Sequence, residues 1–529
     1  CLLSRGLGDV YKRQEHRVME EKMIWKKWNT ILQLKENGKI NRMGMLFSTK
    51  NKDYYYDTGT GKVVELELGE KEIFSSLFDQ NKSNDVVRQV IEMYDRDGKF
   101  IDSINSEYLL ENPEIEHFVQ LDGYYEDESM QVQQLIIELT GKCNLRCKYC
   151  IYNDYYEGNR DFNTSDISFE TAKKAIDYAY AHRHPDHFSI TFYGGEPLVN
   201  FKVMKQCIDY ALANLTECNL SFSFTTNLTL MTEEIADYLG QVPNLSIVLS
   251  MDGPAEIHNM ARVYSNNRDT FDDAYRGLKY IAASAKKYGN ITLTFNSVLM
   301  PPYTEERFDK INDFFSNMDF LPEGTNVQAS YPSKGTVPES YYLELQEKGY
   351  DVNAPVNWFQ WAESRSKNKD FITNRMNLYT NVLEASLTKI HNRPVFNEPI
   401  NISYCNGCCI PGQRRLYVCT DGTYKVCERV GDSPSIGNVD NGVDTEAIKK
   451  YYLHEYEEKS IRNCSNCWAL RLCDICYADC YDQNGINVQM KAGYCEEVRE
   501  RYKSWLIKYY ETIENNIDLV KKIDDIEFN

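Results

Sequence analysis

The sequence predicts an α/β protein built around a partial TIM-like (β/α)6 barrel. Apolar strand segments alternate with helical segments six times between residues 134 and 331, and such alternation is typical of a parallel sheet covered by helices. Short strands followed by helices precede this region, and eleven of the 17 cysteines lie within residues 401–497. We therefore expect a winged-helix-like α+β domain before the barrel and a Cys-rich domain after it.

The composition excludes several functional classes. A chain of 529 residues is long enough for two to four domains. Its net charge of −20 argues against a general nucleic-acid-binding protein, which needs basic surface to meet phosphates. The absence of a long apolar run predicts no membrane span. Because no secretory signal is visible, the C-x2-C spacings favour metal binding over disulfides, and we expect a cytoplasmic protein in a reducing, anaerobic cell interior.

The N-terminal region divides into two parts. Residues 1–18 resemble adaptor-derived, non-native sequence, so we expect the natural start at Met19, at Met23 or upstream of this chain. Residues 24–124 show strand alternation, a hairpin turn and helix periodicity. The predicted segments are strands at 44–48, 53–56 and 62–68, a turn at 57–61, and helices at 70–78 and 83–94. An ordinary structural extension would explain this pattern equally well.

Residues 134–331 carry the predicted barrel, with its chemistry expected at the C-terminal ends of the strands. The predicted strands are 135–139, 189–193, 221–225, 245–250, 291–298 and 327–330, and the helices between them are about 168–182, 199–213, 232–240, 270–287 and 304–318.

The chain after the barrel divides into three parts. Residues 332–400, with aromatic helical stretches such as 357–363, are interpreted as an insertion or linker that either lines a substrate cleft or merely connects domains. The Cys-rich domain follows at 401–497. Residues 498–529 are expected to form a C-terminal helix, over Val498–Tyr510, and a tail.

Three cysteines with C-x3-C-x2-C spacing, Cys143, Cys147 and Cys150, follow the first predicted barrel strand. Thiolates suit zinc or an iron–sulfur cluster, and three so close together can hold three corners of a four-iron cube while one iron stays open. The spacing, with Tyr149 before the third cysteine, resembles the signature of the radical S-adenosylmethionine (SAM) superfamily. The resemblance implies that SAM chelates the open iron and yields a 5′-deoxyadenosyl radical that abstracts hydrogen from a substrate. A zinc knuckle is the alternative.

Polar residues and glycines end the next three predicted strands. Two glycines let the backbone approach a ligand closely, a carboxylate can bind an ammonium, and a guanidinium can bind a carboxylate. The resemblance implies that Glu196 holds the SAM amino group, Ser250 its ribose and Arg262 its carboxylate, whereas Asp252 and His258 only fix a loop. The full expected cofactor-binding set is Tyr149, Tyr193, Gly194, Gly195, Glu196, Thr226, Asn227, Ser250 and Arg262.

The C-terminal cysteines resemble the SPASM domain, an extension that carries two auxiliary four-iron clusters. The resemblance covers Cys409-x12-Gly422-x4-Cys427, then Cys464-x2-Cys467-x5-Cys473, then Cys495. It implies a first auxiliary cluster on Cys405, Cys409 and Cys427. It implies a second on Cys464, Cys467, Cys473 and Cys495.

The chain departs from the SPASM pattern in one place. Tyr477 stands where the family has its next cysteine, so either Cys476 or Cys480 is expected to complete the first cluster. Cys408 could also replace Cys409. Two structural zinc sites are the alternative for this region, since C-x2-C is common in such sites.

The architecture resembles that of radical SAM peptide maturases. The resemblance implies a ribosomally made, Cys-rich precursor peptide as substrate, a thioether or carbon–carbon crosslink as product, and a flavodoxin- or ferredoxin-type electron donor. An N-terminal unit that resembles a leader-recognition domain favours this interpretation. An anaerobic sulfatase-maturating, formylglycine-generating enzyme is the alternative enzyme, and an iron–sulfur scaffold or sensor is the non-enzymatic alternative.

Overall fold

A computed structural model describes residues 2–126, 131–152, 162–333, 335–352, 361–362 and 376–515. Its centre is a sheet of eight strands, seven of them parallel. Six of these are the predicted barrel strands, each within two residues of its expected bounds. The central strands are β4 (Gln134–Thr140), β5 (His187–Gly194), β6 (Asn219–Thr226), β7 (Leu245–Ser250), β8 (Ile291–Val298) and β9 (Asn326–Ser330), which pair in chain order.

The sheet is larger than the predicted six strands, because a hairpin from the Cys-rich region extends it. β10 (Leu416–Val418) pairs parallel with β4, and β11 (Tyr424–Lys425) pairs antiparallel with β10. The sequence around Asp421 and Gly422 predicts a strand, a turn and a second strand, as found. Strands of three and two residues are too short to show alternation, so the sequence did not reveal that this hairpin joins the main sheet. Gly422 allows the turn between them, since it adopts φ +88°. The curvature of a partial barrel remains a prediction.

Helices follow the parallel strands as expected from their periodicity and their caps. The hydroxyls of Ser168, Thr232 and Thr304 accept backbone hydrogen bonds from Thr171, Ile235 and Arg307, and so begin three of them. Each helix buries one apolar face on the sheet. The helices of this region are α6 (Phe169–Ala181), α7 (Phe201–Asn214), α8 (Glu233–Gly240), α9 (Ala255–Ala261), α10 (Phe271–Tyr288) and α11 (Glu305–Ser316).

The N-terminal unit consists of a long helix, a three-stranded antiparallel sheet and three helices, as the predicted strand-then-helix order requires. One face of its sheet packs on its own helices, and the other packs on the main core. Whether it is a winged-helix domain remains a prediction. Its elements are α1 (Leu2–Glu36), β1 (Gly44–Ser48), β2 (Asp53–Asp57), β3 (Val63–Leu66), α2 (Leu68–Phe78), α3 (Asn84–Tyr94) and α4 (Lys99–Ser106); α5 (Asp122–Glu126) leads to β4.

The C-terminal region ends in a helix longer than predicted. We expected it to begin at Val498, but it begins at Val488 and so contains Cys495. It begins there because Asn487 Oδ1 accepts a hydrogen bond of 3.0 Å from Met490 N and so caps the helix. The other elements are α12 (Glu339–Glu347), α13 (Leu378–His391), β12 (Gly437–Asn438), β13 (Gly442–Val443), α14 (Thr445–Ile448), α15 (Glu455–Cys464), β14 (Tyr481–Asp482), β15 (Gly485–Ile486) and α16 (Val488–Asn515).

Some predictions lie outside the described residues. These are Cys1, most of the aromatic stretch 357–363 and the tail after residue 515. Within the described ranges, no helix is both long and apolar enough to cross a membrane.

Candidate active site

The loop that carries Cys143, Cys147 and Cys150 leaves the C-terminal end of β4. Backbone hydrogen bonds fasten it to the segment after α9: Arg146 N donates to Val263 O at 2.7 Å, and Lys148 N donates to Ala261 O at 2.9 Å. The loop therefore lies over the C-terminal ends of the sheet strands. All three thiols line one cavity there, as the spacing predicted.

The segment Gly194–Gly195–Glu196 closes the same cavity from the end of β5. Gly194 has φ +132°, and a Cβ on Gly195 would lie 2.2 Å from Lys142 O, so both positions favour glycine. Glu196 is 1% exposed and accepts hydrogen bonds from Thr226 Oγ1 and Asn227 N, each at 2.8 Å. Burial nevertheless raises its pKa to about 7.

A buried network around Asp252 supports the third side of the cavity. Oδ2 of Asp252 accepts a hydrogen bond of 2.6 Å from Tyr149 Oη, and Oδ1 lies 3.1 Å from Arg262 Nε. Arg262 Nη1 is also 3.9 Å from Cys147 Sγ. His258 lies behind Asp252, and burial lowers its pKa to about 4, so it is neutral at pH 7.

The expected cofactor-binding residues meet around this one cavity, which has a volume of about 270 Å³. Burial raises the pKa of all three thiols, that of Cys147 to about 12, while Arg262 opposes the rise at Cys147. Buried thiols of this kind ionise only when a cationic ligand compensates their charge. The lining includes Cys143, Cys147, Tyr149, Cys150, Tyr193, Gly194, Gly195, Glu196, Thr226, Asn227, Ser250 and Arg262.

Sequence reasoning missed several residues of the cavity. Asn296 and Val298, from the end of β8, and Tyr331, after β9, also line it. Asn144 contributes indirectly, because its Oδ1 accepts a hydrogen bond of 3.0 Å from Asn227 Nδ2. The rule that chemistry lies at the ends of parallel strands would have found Asn296 and Tyr331, since the fifth and sixth predicted strands end beside them.

Cys464, Cys467, Cys473 and Cys495 meet as the sequence predicted. All four line a second cavity, of about 220 Å³, between α15, the loop after it and α16. Lys491, one turn before Cys495, lines the same cavity, and its Nζ is 3.7 Å from Cys464 Sγ.

A second group of thiols, Cys405, Cys408, Cys427, Cys476 and Cys480, lies near by. Burial raises the pKa of Cys408, and the thiols of Cys480, Cys476 and Cys405 add to that rise, which places the four within electrostatic reach of one another. Cys427 acts in the same way on Cys476. Cys408, one of the alternatives that the sequence left open, is thus among these thiols.

No single-ion site accompanies these thiols. Among the residues that the structure describes, no three Cys, His, Asp or Glu side chains are grouped so that they could hold one metal ion.

The fold and the three-cysteine cavity define the class of the protein. Residues 137–315, which contain β4 to most of α11, match the radical SAM superfamily. Residues 137–315 therefore form a radical SAM domain. SAM and a four-iron cluster are the cofactors of this class, and a cavity with three buried thiols beside a Gly-Gly-Glu turn fits them.

Several curated proteins are similar to the chain. An uncharacterized protein of Methanocaldococcus jannaschii is 34% identical over 175 residues, which are 33% of this chain and 57% of that protein. The chain thus matches little more than half of that relative. The cysteine-type anaerobic sulfatase-maturating enzyme of Clostridium perfringens is 27% identical over 386 residues, 70% of this chain and 95% of that enzyme.

Two further comparisons agree with this class. The radical SAM cyclopropyl synthase of Paramaledivibacter caminithermalis is 23% identical over 385 residues, 69% of this chain and 72% of that enzyme. The solved structure of anSMEcpe with bound AdoMet has a TM-score of 0.52 at 22% identity and covers 74% of this chain and 98% of that one. The latter likeness shows a shared fold.

Proposed function

We propose that this protein is a radical SAM enzyme that modifies a peptide and carries two auxiliary iron–sulfur clusters. The observation that carries the proposal is the presence of three separate sets of cysteine thiols in one chain. One lines the cavity at the strand ends, and two lie in the C-terminal region. No zinc knuckle requires the Gly-Gly-Glu turn and the Asp252 network that surround the first group.

The described residues suit these cofactors. Cys143, Cys147 and Cys150 would hold the SAM-binding cluster. The second auxiliary cluster would be held by Cys464, Cys467, Cys473 and Cys495, and the first by Cys405, Cys427, Cys408 or Cys409, and Cys476 or Cys480. When bound, these groups and SAM supply a 5′-deoxyadenosyl radical and an acceptor for one surplus electron.

The residues around the cavity would bind SAM and orient it. Glu196 would accept hydrogen bonds from the SAM amino group, and Ser250 would bond its ribose. Arg262 already faces Cys147 and Asp252, so its remaining donors are the ones available to the SAM carboxylate. Tyr149 is held by Asp252 and forms part of the cavity wall.

Crosslinking of a ribosomally made precursor peptide is the first candidate reaction. A carbon of the peptide would lose a hydrogen atom to the adenosyl radical, and a peptide cysteine would lose its thiol proton. A C–S bond would then form, and one electron would leave through the auxiliary sites to a carrier. The N-terminal unit favours this candidate, because its β3 is an edge strand of a three-stranded sheet, and an edge strand can pair with an extended peptide.

Sulfatase maturation is the second candidate. It is favoured by the match to the sulfatase-maturating enzyme of Clostridium perfringens, which extends over 95% of that enzyme. There Cβ of a substrate cysteine would lose a hydrogen atom to the adenosyl radical, its thiol would lose a proton, and one electron would leave through the auxiliary sites. Water would then hydrolyse the resulting thioaldehyde, so that sulfide leaves and an aldehyde remains. Both candidates share the radical SAM domain, and the family match begins only at residue 137. The part of the chain before β4 lies outside that match and is therefore the part that can distinguish the two candidates.

The test is anaerobic reconstitution of the full chain. We expect about twelve iron atoms per chain, four for each of three clusters, and cleavage of SAM to 5′-deoxyadenosine after reduction by dithionite or by a flavodoxin- or ferredoxin-type donor. Iron without SAM cleavage would support a scaffold or sensor instead, and zinc without iron would refute the proposal.

The reaction is then assigned by mass spectrometry of candidate peptides. A short Cys-rich peptide encoded beside this gene should lose about two hydrogens per crosslink. A sulfatase-derived peptide should instead lose one sulfur and two hydrogens and gain one oxygen. Both peptides are tested on the full chain, because the N-terminal unit packs on the main core and its removal would expose that core.

A further inference from the structure

Lys491 places an ammonium group among the C-terminal cysteines. The residue lies in α16 and is 5% exposed. Besides Cys464 Sγ at 3.7 Å, its Nζ has three neutral oxygen partners: Tyr456 Oη and Ser460 Oγ, both at 2.8 Å, and Asn406 Oδ1 at 3.1 Å. Across the described ranges, no carboxylate lies within ion-pair distance of this ammonium.

The charge of Lys491 acts on cysteines of both auxiliary groups. In the second group, burial raises the pKa of Cys464 and Cys495, and Lys491 opposes both rises. In the first group, burial raises the pKa of Cys405 to about 11 and also that of Cys480, and Lys491 again opposes the rise. The same ammonium is therefore close enough to stabilise negative charge in either group.

A buried ammonium without a carboxylate is costly, because the desolvation of the charge is not repaid by a counter-charge. Thiolates that ligate a cluster supply that counter-charge. Each cluster becomes more negative when it accepts an electron, so a fixed positive charge beside its cysteine ligands stabilises the reduced form more than the oxidised form.

We propose that Lys491 raises the reduction potential of the auxiliary clusters and so helps them to accept an electron. This inference rests on the assignment of the two cysteine groups under the proposed function. The step is a one-electron couple. An oxidised cluster gains the surplus electron of the substrate radical, or an electron from dithionite in the test, and no bond or proton is transferred to the cluster. Lys491 touches the ligands and not the substrate, which makes it a positioning residue rather than a catalytic residue.

The experiment is an EPR-monitored redox titration of the anaerobically reconstituted full chain and of Lys491→Gln. We expect the reduction equilibrium of at least one auxiliary cluster to shift about tenfold toward the oxidised form, which for one electron is about 59 mV. Lys491→Arg keeps the positive charge and should recover most of the wild-type potential.

Lys508→Gln is the matched control. Lys508 lies in the same helix, is 8% exposed, and stands about 26 Å along the helix axis from Lys491 at 1.5 Å per residue. Its replacement also removes a buried ammonium, but it should leave the potentials of the auxiliary clusters unchanged.

The outcomes separate this inference from the proposed function. Wild-type protein with only about four iron atoms would refute the auxiliary assignment itself. Full iron content in Lys491→Gln with unchanged potentials would overturn the role of Lys491 alone. If Lys491→Gln binds less iron, restoration of the iron by Lys491→Arg supports a role for the charge, and a failure of Lys491→Arg to restore it contradicts that role.

Discussion

At the residue scale, Asp252 joins three separate parts of the active site. Its carboxylate accepts hydrogen bonds from Tyr149 Oη in the Cys loop and from Val298 N at the end of β8, and it pairs with Arg262 after α9. The Asp252 and Arg262 side chains are 2% and 7% exposed. Because both charges are buried, each needs the opposite charge of the other to compensate its desolvation.

Asp252→Asn is expected to destabilise the protein by about 3 to 5 kcal/mol, because it leaves the Arg262 guanidinium buried without a counter-charge. Chemical denaturation under anaerobic conditions measures this loss. Asp237→Asn is the control: Asp237 pairs with Lys287 at the surface, where both side chains are about half exposed, and exposed pairs contribute about 1 kcal/mol or less. Equal losses of stability in the two variants would contradict a special role for the buried pair of Asp252 and Arg262.

The second residue of interest is Glu196, whose burial couples the site to pH. Its pKa is about 7 in the folded protein and has an ordinary value of 4.5. Between these values the folded protein binds more protons than the unfolded protein, so this group's contribution to stability is present below pH 4.5 and is lost as the pH rises through 7. A ligand that donates hydrogen bonds to the carboxylate prefers its ionised form and therefore binds better as the pH rises.

We therefore expect SAM affinity to rise about tenfold from pH 6 to pH 8, as Glu196 ionises, and to level off above that. Equilibrium dialysis of the reconstituted enzyme would show this dependence. Glu196→Gln should bind SAM weakly at every pH without the slope. Glu138→Gln, which alters a buried carboxylate on β4, should keep the slope, and a flat wild-type profile would contradict the assignment.

At the element scale, the ends of β4 and β5 approach each other so closely that one position excludes a side chain. Gly195 N donates to Thr140 O, and Glu196 N donates to Lys142 O, both at 2.9 Å. These bonds bring the Gly-Gly-Glu turn against the start of the Cys loop. The two motifs, about fifty residues apart in the chain, thus share one wall of the cavity.

Gly195→Ala is expected to displace the Cys loop, because the new Cβ would lie 2.2 Å from Lys142 O and 2.5 Å from its carbonyl carbon. We expect reconstituted protein to lose the iron of the SAM-binding cluster, about four atoms, while the auxiliary iron stays. Gly123→Ala in α5 meets no atom within 4 Å and should keep all iron. Full iron content in Gly195→Ala would contradict the prediction, because the Cys loop would then accommodate the new Cβ without loss of iron.

At the scale of the whole molecule, the N-terminal unit and the C-terminal helix pack together although they are far apart in sequence. Tyr54 of β2 lies with its ring centroid 4.7 Å from that of Tyr510 and 5.3 Å from that of Phe47. Its hydroxyl donates to Glu514 Oε1 at 2.9 Å. Arg471, after α15, also donates to Thr58 O at 2.8 Å. The unit is thereby tied to the Cys-rich region.

Tyr54→Ala should loosen this contact, since removal of a buried aromatic side chain costs about 3 to 5 kcal/mol. Hydrogen exchange should become faster in β1, β2 and the end of α16, whereas the strands of the parallel sheet should keep their protection. Tyr94→Ala removes a tyrosine that is 45% exposed and should change little. Uniform loss of protection through the chain would mean that the unit does not open separately.

Much of the fold could be predicted because its signals are local. The strands and helices between residues 134 and 331 are five to eighteen residues long, and Leu245–Ser250 and Ile291–Val298 were predicted to the residue. The place of the β10–β11 hairpin beside β4 carries no such signal. It depends on pairing between distant segments, which periodicity does not report.

By itself, the sequence determined the elements and the chemistry of the ligands, because cysteine spacing and apolar alternation are properties of neighbouring residues. The tertiary structure alone decided which side chains meet. It brought Cys408 within electrostatic reach of Cys480, joined Asp252 to Tyr149 and Arg262, and directed Lys491 toward the cysteines. These contacts link residues far apart in the chain, and only the packing of strands and helices brings them together.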